Sequence, residues 1–215
     1  MIVYSPINGE VLTNAFKFYP RTAFVMTKLG MPISEELAAM RDALKLQLAK
    51  CQFNEIDASS SVTGKDFLDK IWKVILGVPL GIAVLTKDIK PRTLANIYYE
   101  LGIMDALGKE TIIVKSPNYD IPSDFKRTEY INFDKSFSKQ FLKFIDNLKE
   151  REDHYWLMSE IIQADPVLSI DYIKRAYLLN PLKKYKKEAN KIFIENDLNI
   201  DEQSKLHIKN FLNSR

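Results

Sequence analysis

The chain has 215 residues, 46% of them hydrophobic and 27% charged, with a net charge of +3. That balance describes a folded chain long enough to bury a core, and it excludes the disordered and fibrous classes. With no apolar run of about 18 residues and no basic-then-apolar leader, neither a membrane span nor a signal peptide is expected, and the cytoplasm is the expected compartment. The single cysteine, Cys51, cannot form an internal disulfide. The two histidines, His154 and His207, both fall late in the chain, so a Ser-His-Asp triad or a His-based metal site is hard to build in the main domain.

Residues 1–20 read as an irregular lead-in or a short strand. The run TAFVMT at 22–27, bounded by prolines and a glycine, suits a buried strand. Ser34 opens a helix: Glu35 and Glu36 fall in its first turn, where the helix dipole favours anions, and Leu37, Met40, Leu44 and Leu48 mark its inner face. QFNEIDA reads as a second strand and SSSVTGKD as the loop after it, with Thr63 and Asp66 at capping-box spacing. A helix over 65–76 follows, carrying Phe67, Ile71 and Ile75, with Trp72 as a core residue. A continuous apolar strand, PLGIAVLT at 79–86, leads through a polar loop to a helix over 93–107 that Gly108 closes. Strands at 111–115 and 130–133 come next. A helix over 136–150 then presents Phe137, Phe141, Phe144, Ile145 and Leu148 on one side.

Strands alternating with helices at this spacing indicate βαβ units and a parallel, doubly wound sheet. This α/β domain is expected to span 1–150. From 151 to 215 the β signals nearly vanish, and short helices broken at Pro166 and Pro181 are expected. DPVLSIDYIKRAYLLNP resembles half of a tetratricopeptide repeat, with Ala176 and Pro181 in suitable places, but no second copy follows. The lysine-rich LKKYKKEANK at 182–191 reads as a solvated helix face rather than a nucleic-acid contact. We expect the tail to serve as an oligomer or partner surface.

In an open parallel sheet the ligand sits beyond the carboxyl ends of the strands. That rule selects the loops 27–30, 57–63, 86–93 and 116–120. None contains GxGxxG or GxxxxGK[ST], so neither a dinucleotide fingerprint nor a P-loop is supported. The conspicuous residue is Glu100. On a helix over 93–107 it falls inside the stripe of Ile97, Leu101, Met104 and Leu107, where a carboxylate is costly unless paired or used. It either pairs with a cation such as Arg92 or Lys87, or faces a ligand. Asn96 reads as a helix cap, and Tyr98 and Tyr99 as packing aromatics. Asp57 with Ser59 and Ser60 reads as a post-strand turn.

The ordered series of Thr86 at a strand end, Asn96, Tyr98-Tyr99-Glu100-Leu101-Gly102, Gly108-Lys109 and a further apolar strand resembles the nucleoside 2-deoxyribosyltransferase-like and TIR-like nucleotide-processing domains. AFVMTKLG looks like their opening strand and loop, and IDASSSVTGKDFLDKIW like their second strand, loop and helix, so the resemblance covers about 22–135. One departure is that the family's Asp before the strand-ending Thr is absent, with Val84 and Leu85 in its place. Asp88 is the candidate to restore a carboxylate there.

The resemblance implies a flavodoxin-like three-layer doubly wound parallel sheet, followed by a small all-helical extension. It implies N-glycosidic bond cleavage or ribosyl transfer on NAD or a related nucleotide or nucleoside, in bacterial anti-phage defence, by an NAD nucleosidase or a nucleoside deoxyribosyltransferase-like enzyme. Glu100 would be the catalytic carboxylate, with Asn96, Tyr98, Tyr99, Asp57, Ser59, Thr27, Thr86 and Asp88 as substrate-binding residues. No metal and no cofactor are expected, NAD being a candidate substrate. The expected partners are a small nucleotide or nucleoside and further copies of the chain, not a membrane or a nucleic acid. The alternative is a non-catalytic module that senses a nucleotide signal and regulates a partner.

Overall fold

A computed structural model of the chain describes residues 9, 16–61, 67–125 and 128–214. Thr63 and Asp66, expected as a capping box, lie outside these residues, as do the side chains of Ser60 and Phe67. Two compact units divide the chain, one of Thr22–Lys65 and Val78–Asp146, the other of Met1–Arg21, Asp66–Gly77 and Asn147–Arg215.

The first unit is built on β1 (Thr22–Met26), α1 (Glu35–Lys50), β2 (Asn54–Asp57), β3 (Leu80–Leu85), α3 (Pro91–Ala106), β4 (Glu110–Lys115), β5 (Tyr130–Asn132) and the start of α4 (Phe137–Ile161); α2 (Phe67–Gly77) falls in the second unit. Every residue of β1 and β3 is buried, the signature of strands covered on both faces. Among the described residues five strands form one sheet, all parallel, in the order β2-β1-β3-β4-β5. This is the flavodoxin-like doubly wound order. The step from β1 to β2 runs one way along the sheet and the step from β3 to β4 the other. With right-handed crossovers, α1 and α3 therefore lie on opposite faces.

Ser34 caps α1 by accepting from Leu37 N at 3.2 Å, and Leu37, Met40, Leu44 and Leu48 are all buried as the periodicity requires. On the same face α1 meets α4, where Gln47 Nε2 donates to Ser138 Oγ at 3.1 Å. Phe137, Phe141 and Phe144 fill the space beneath. On the other face α3 lies against β1, β3 and β4. Met104 occupies the place a side chain would take at Gly81, where an added Cβ would run into its sulfur.

Two helix boundaries differ from the sequence expectation. The third helix begins at Pro91 rather than at 93, because proline at the first helical position carries its fixed φ and loses no hydrogen bond. At its other end Gly108 adopts φ +63°, and Lys109 N and Gly108 N reach back to Met104 O and Asp105 O at 3.0 and 2.9 Å. This is a Schellman closure. The fourth helix, expected to stop at 150, runs to Ile161, since no glycine or proline interrupts it.

In the second unit, α5 (Pro166–Leu179), α6 (Lys183–Glu195) and α7 (Glu202–Asn213) pack around Phe18, Ile173, Ala176, Tyr185 and Phe211. Pro166 starts α5 instead of breaking a helix, with Asp165 capping it from Oδ1 at 3.0 Å to Leu168 N. In α6, Tyr185 and Ala189 are buried and most of the lysines of the basic run face water. Trp72 of α2 is buried as expected.

Candidate active site at the carboxyl ends of the strands

The doubly wound order reverses between β1 and β3, so the crevice that a ligand can use opens beyond the carboxyl ends of these two strands. Thr27, just after β1, donates from Oγ1 to Val84 O on β3 at 3.3 Å. Thr86, just after β3 and wholly buried, donates to Asp88 Oδ1 at 2.6 Å. Asp88 itself is exposed. The Thr86 hydrogen bond, with further help from the Ser34 hydroxyl and the Lys28 charge, holds its carboxyl below the usual range, so it stays ionised at the mouth of the crevice. A carboxylate thus stands at the β3 end, two residues after Thr86.

Asp57, the last residue of β2, is an engaged group. Its Oδ1 accepts from Ser59 N at 3.0 Å and Ser59 Oγ at 2.5 Å, and its Oδ2 accepts from Arg41 on α1 at 3.1 Å. The first two bonds form an Asx turn, and Arg41 adds an ion pair that the sequence pattern did not reveal.

Helix α3 presents its candidates on three different sides. Ile97, Leu101 and Met104 are buried against the sheet. Tyr99 is 55% exposed and points away from them, and Asn96 is exposed in the second turn, where it cannot cap. The cap position is Lys90. Tyr98 leans toward the β4–β5 side: its hydroxyl lies 3.1 Å from that of Tyr119 and its ring stacks on Phe125 at 4.7 Å. Burial raises its phenol well above the ordinary value, so it stays protonated.

Glu100 follows Tyr98 by two residues and therefore lies about 160° around the helix from it, on the flank turned toward β1. Met104 fixes the height by sitting over Gly81. Glu100 is one turn, about 6 Å, nearer the carboxyl ends of the strands, and a helical side chain leans further in that direction. Among the described residues Glu100 has no hydrogen-bond or ion-pair partner; in particular it pairs with neither Arg92 nor Lys87. Burial alone pushes its carboxyl up to about 7.

The structure thus brings Thr27, Thr86 and Asp88 together at the switch point and turns Glu100 toward their side of the sheet. It places Asp57 with Ser59 at the neighbouring strand end, Tyr98 on the far flank, and Tyr99 and Asn96 in solvent. Among the described residues no cluster of three His, Cys, Asp or Glu could hold a metal ion, and no helix is long and apolar enough to cross a membrane. Beyond the flank that carries Tyr98, a cavity of about 330 Å³ is lined by Lys115, Tyr119, Asp120, Ile121 and Tyr130. Only its loop, 116–120, had been legible. In the helical unit a cleft between Phe16, Phe18 and His207 holds about 30 Å³, the space of a single water.

No family model and no curated protein matches the chain. A solved structure that resembles it is a 2-deoxyribosyltransferase from the psychrotolerant bacterium Bacillus psychrosaccharolyticus. The identity is 10% and the TM-score 0.41, over 54% of this chain and 95% of that one.

Proposed function

We propose that the chain cleaves or transfers the N-glycosidic bond of a nucleoside or nucleotide, NAD among the candidates, with Glu100 as the catalytic carboxylate. The observation that carries this reading is the state of Glu100: a partly buried carboxyl without a partner among the described residues, on the flank of α3 that faces the switch point, inside the Tyr98-Tyr99-Glu100-Leu101-Gly102 motif. A carboxylate with a raised pKa is a better nucleophile once ionised, and stripped of water it interacts strongly with a developing cation.

In this scheme the C1′–N bond breaks and its electron pair leaves with the base, while a Glu100 oxygen bonds to C1′ or stabilises its positive charge. Nicotinamide, cationic while bound, departs as a neutral molecule and needs no proton. Water, or the nitrogen of a second base, then takes C1′ and returns Glu100 to a carboxylate. Asp88, ionised and anchored by Thr86, is placed to accept ribose hydroxyls.

Incubation with NAD and a panel of deoxynucleosides, followed by chromatography for free base, tests the proposal. The wild type is expected to release base and Glu100→Gln to release none while still folded; equal turnover by the two proteins sinks the reading.

The sensing alternative draws on Val84 and Leu85, which are fully buried where the family carries its Asp. It predicts nucleotide binding by calorimetry with no base release at high protein concentration. The setting in bacterial defence rests on the sequence resemblance. Self-association through the C-terminal helices is supported by Leu157, Ile161, Ile194 and Leu198, each more than half exposed, and sedimentation of the full chain tests it.

A further inference from the structure

Lys115 ends β4 and is only 7% exposed. Its ammonium donates to Tyr119 O at 2.8 Å and more weakly to Pro117 O at 3.4 Å, and it lies 5.4 Å from the centre of the Tyr130 ring. Among the described residues no carboxylate comes within ion-pair distance of it. A buried charge is normally paired, and here two carbonyls and a ring face stand in for a counter-ion.

The next residue across the sheet sharpens the anomaly. Lys115 and Asn132 are register partners in the parallel β4–β5 pair, so their side chains share a face. Asn132 Oδ1 is buried with no hydrogen-bond donor among the described residues. Lys115, a cation with no carboxylate partner among the described residues, thus lines a cavity of about 330 Å³, with the orphaned acceptor on its register partner behind it. The cavity walls add an aromatic ring, Tyr130, an aliphatic side chain, Ile121, and an exposed carboxylate, Asp120, at the rim. That volume lies within the usual range for small-molecule sites.

We propose that this cavity is a second ligand site, separate from Glu100, and that it takes a nucleoside monophosphate. The phosphate supplies the counter-ion that Lys115 lacks, and the base lies beside Tyr130 and Ile121. Sugar hydroxyls donate to Asp120 at the rim. The site lies on the opposite flank of α3 from Glu100, reached through Tyr98 and Tyr119, so occupation there does not require the proposed chemistry.

The test is calorimetry of the full chain with AMP, adenosine and inorganic phosphate at low salt, on the wild type, Lys115→Met, Tyr130→Ala and Glu100→Gln. AMP is expected to bind at least about tenfold more tightly than adenosine, the worth of a charge-assisted phosphate contact. Lys115→Met should erase that difference while leaving base release from unphosphorylated nucleosides in place. Glu100→Gln should do the reverse, keeping AMP binding and losing base release. Should Lys115→Met fail to fold, Tyr130→Ala serves instead, since that side chain is 49% exposed; it should weaken AMP by about tenfold and leave inorganic phosphate unaffected. Equal affinity for AMP and adenosine, equal affinity for AMP and inorganic phosphate, undiminished AMP binding by folded Lys115→Met or by Tyr130→Ala, or loss of AMP binding in Glu100→Gln would each overturn the proposal.

Discussion

The helical unit withdraws carboxyl groups from water wholly and the α/β unit withdraws one in part, and they treat them in opposite ways. Asp171 on α5 is 4% exposed. Burial by itself would raise its carboxyl, but the charges and hydrogen bonds of Lys174 and Arg175 outweigh that and bring it down to about 2. Arg175 Nε donates to it at 3.0 Å and Lys174 closes the other side. Glu152 on α4 is 8% exposed and accepts from Asn180 Nδ2 at 3.0 and 3.1 Å and from the Tyr185 hydroxyl at 2.5 Å. Both are provided for by their own unit: Asp171 within α5 itself, at i+3 and i+4, and Glu152 by Asn180 and by Tyr185 of α6, which ties α4 to its neighbours. Glu100 in the α/β unit is only partly buried, and among the described residues nothing is provided for it. A carboxylate whose partners are built in serves the fold, and one left without them is available to a ligand.

The comparison breaks most visibly in turnover. Glu100→Gln is expected to lower base release by about a thousandfold or more, on the order of 4 kcal/mol of transition-state stabilisation. Asp171→Asn, an equally conservative change at a more deeply buried carboxylate, should leave turnover per folded molecule unchanged within about twofold. If Asp171→Asn costs as much activity as Glu100→Gln, the distinction between provided and unprovided carboxylates loses its meaning.

In stability the ranking reverses. Asp171→Asn takes the carboxylate from two cations that are about one-quarter exposed, and should cost about 2–4 kcal/mol by denaturant titration. Glu152→Gln keeps the shape but turns one acceptor oxygen into a donor facing Tyr185 and Asn180. It should cost roughly 1–3 kcal/mol in the same measurement, and an unchanged unfolding midpoint would show that the 2.5 Å contact to Tyr185 carries no net energy.

The sequence displayed Glu100 more clearly than Asp171 or Glu152. A carboxylate within an apolar stripe can be seen from helical spacing alone. The strands were equally legible, because β1 and β3 are continuous apolar runs with a proline or glycine at their borders. The length of α4 was not: beyond Leu148 its inward positions include Glu152 and Ser159, both buried, and a hydrophobic pattern cannot register a buried polar residue. The start of α3 was hidden for a related reason, since Pro91 reads as loop in a linear scan but fits the first turn of a helix. Asp88 could be named as a candidate, but only the folded loop aims it at Thr86. Lys115 with Asn132 is the least legible pair of all. It exists only through the β4–β5 register, and 17 residues of chain separate its members.

The smallest effect also has the most specific signature, because the two kinds of carboxylate couple to pH with opposite sign. Glu100 titrates near 4.5 when unfolded and near 7 when folded. Between these values the native state keeps a proton that the unfolded chain has released, so stability falls as pH rises from about 4.5 to 7 and the penalty is constant above that. Glu100→Gln removes the penalty, and should therefore stabilise the protein by roughly 1–3 kcal/mol at pH 8 and by almost nothing at pH 4.5. Asp171 titrates near 3.8 when unfolded and near 2 when folded, so its contribution is complete above about pH 4 and is lost only as pH falls through the interval to 2. The windows do not overlap. Unfolding midpoints measured from pH 3 to 8 should show the Glu100→Gln advantage growing from about pH 4.5 to 7 and level above that, while the Asp171→Asn deficit stays flat there and narrows only in acid. A Glu100→Gln protein no more stable than the wild type at pH 8 would mean that the wild-type carboxylate already has a partner, which would remove the ground for assigning that role to a substrate.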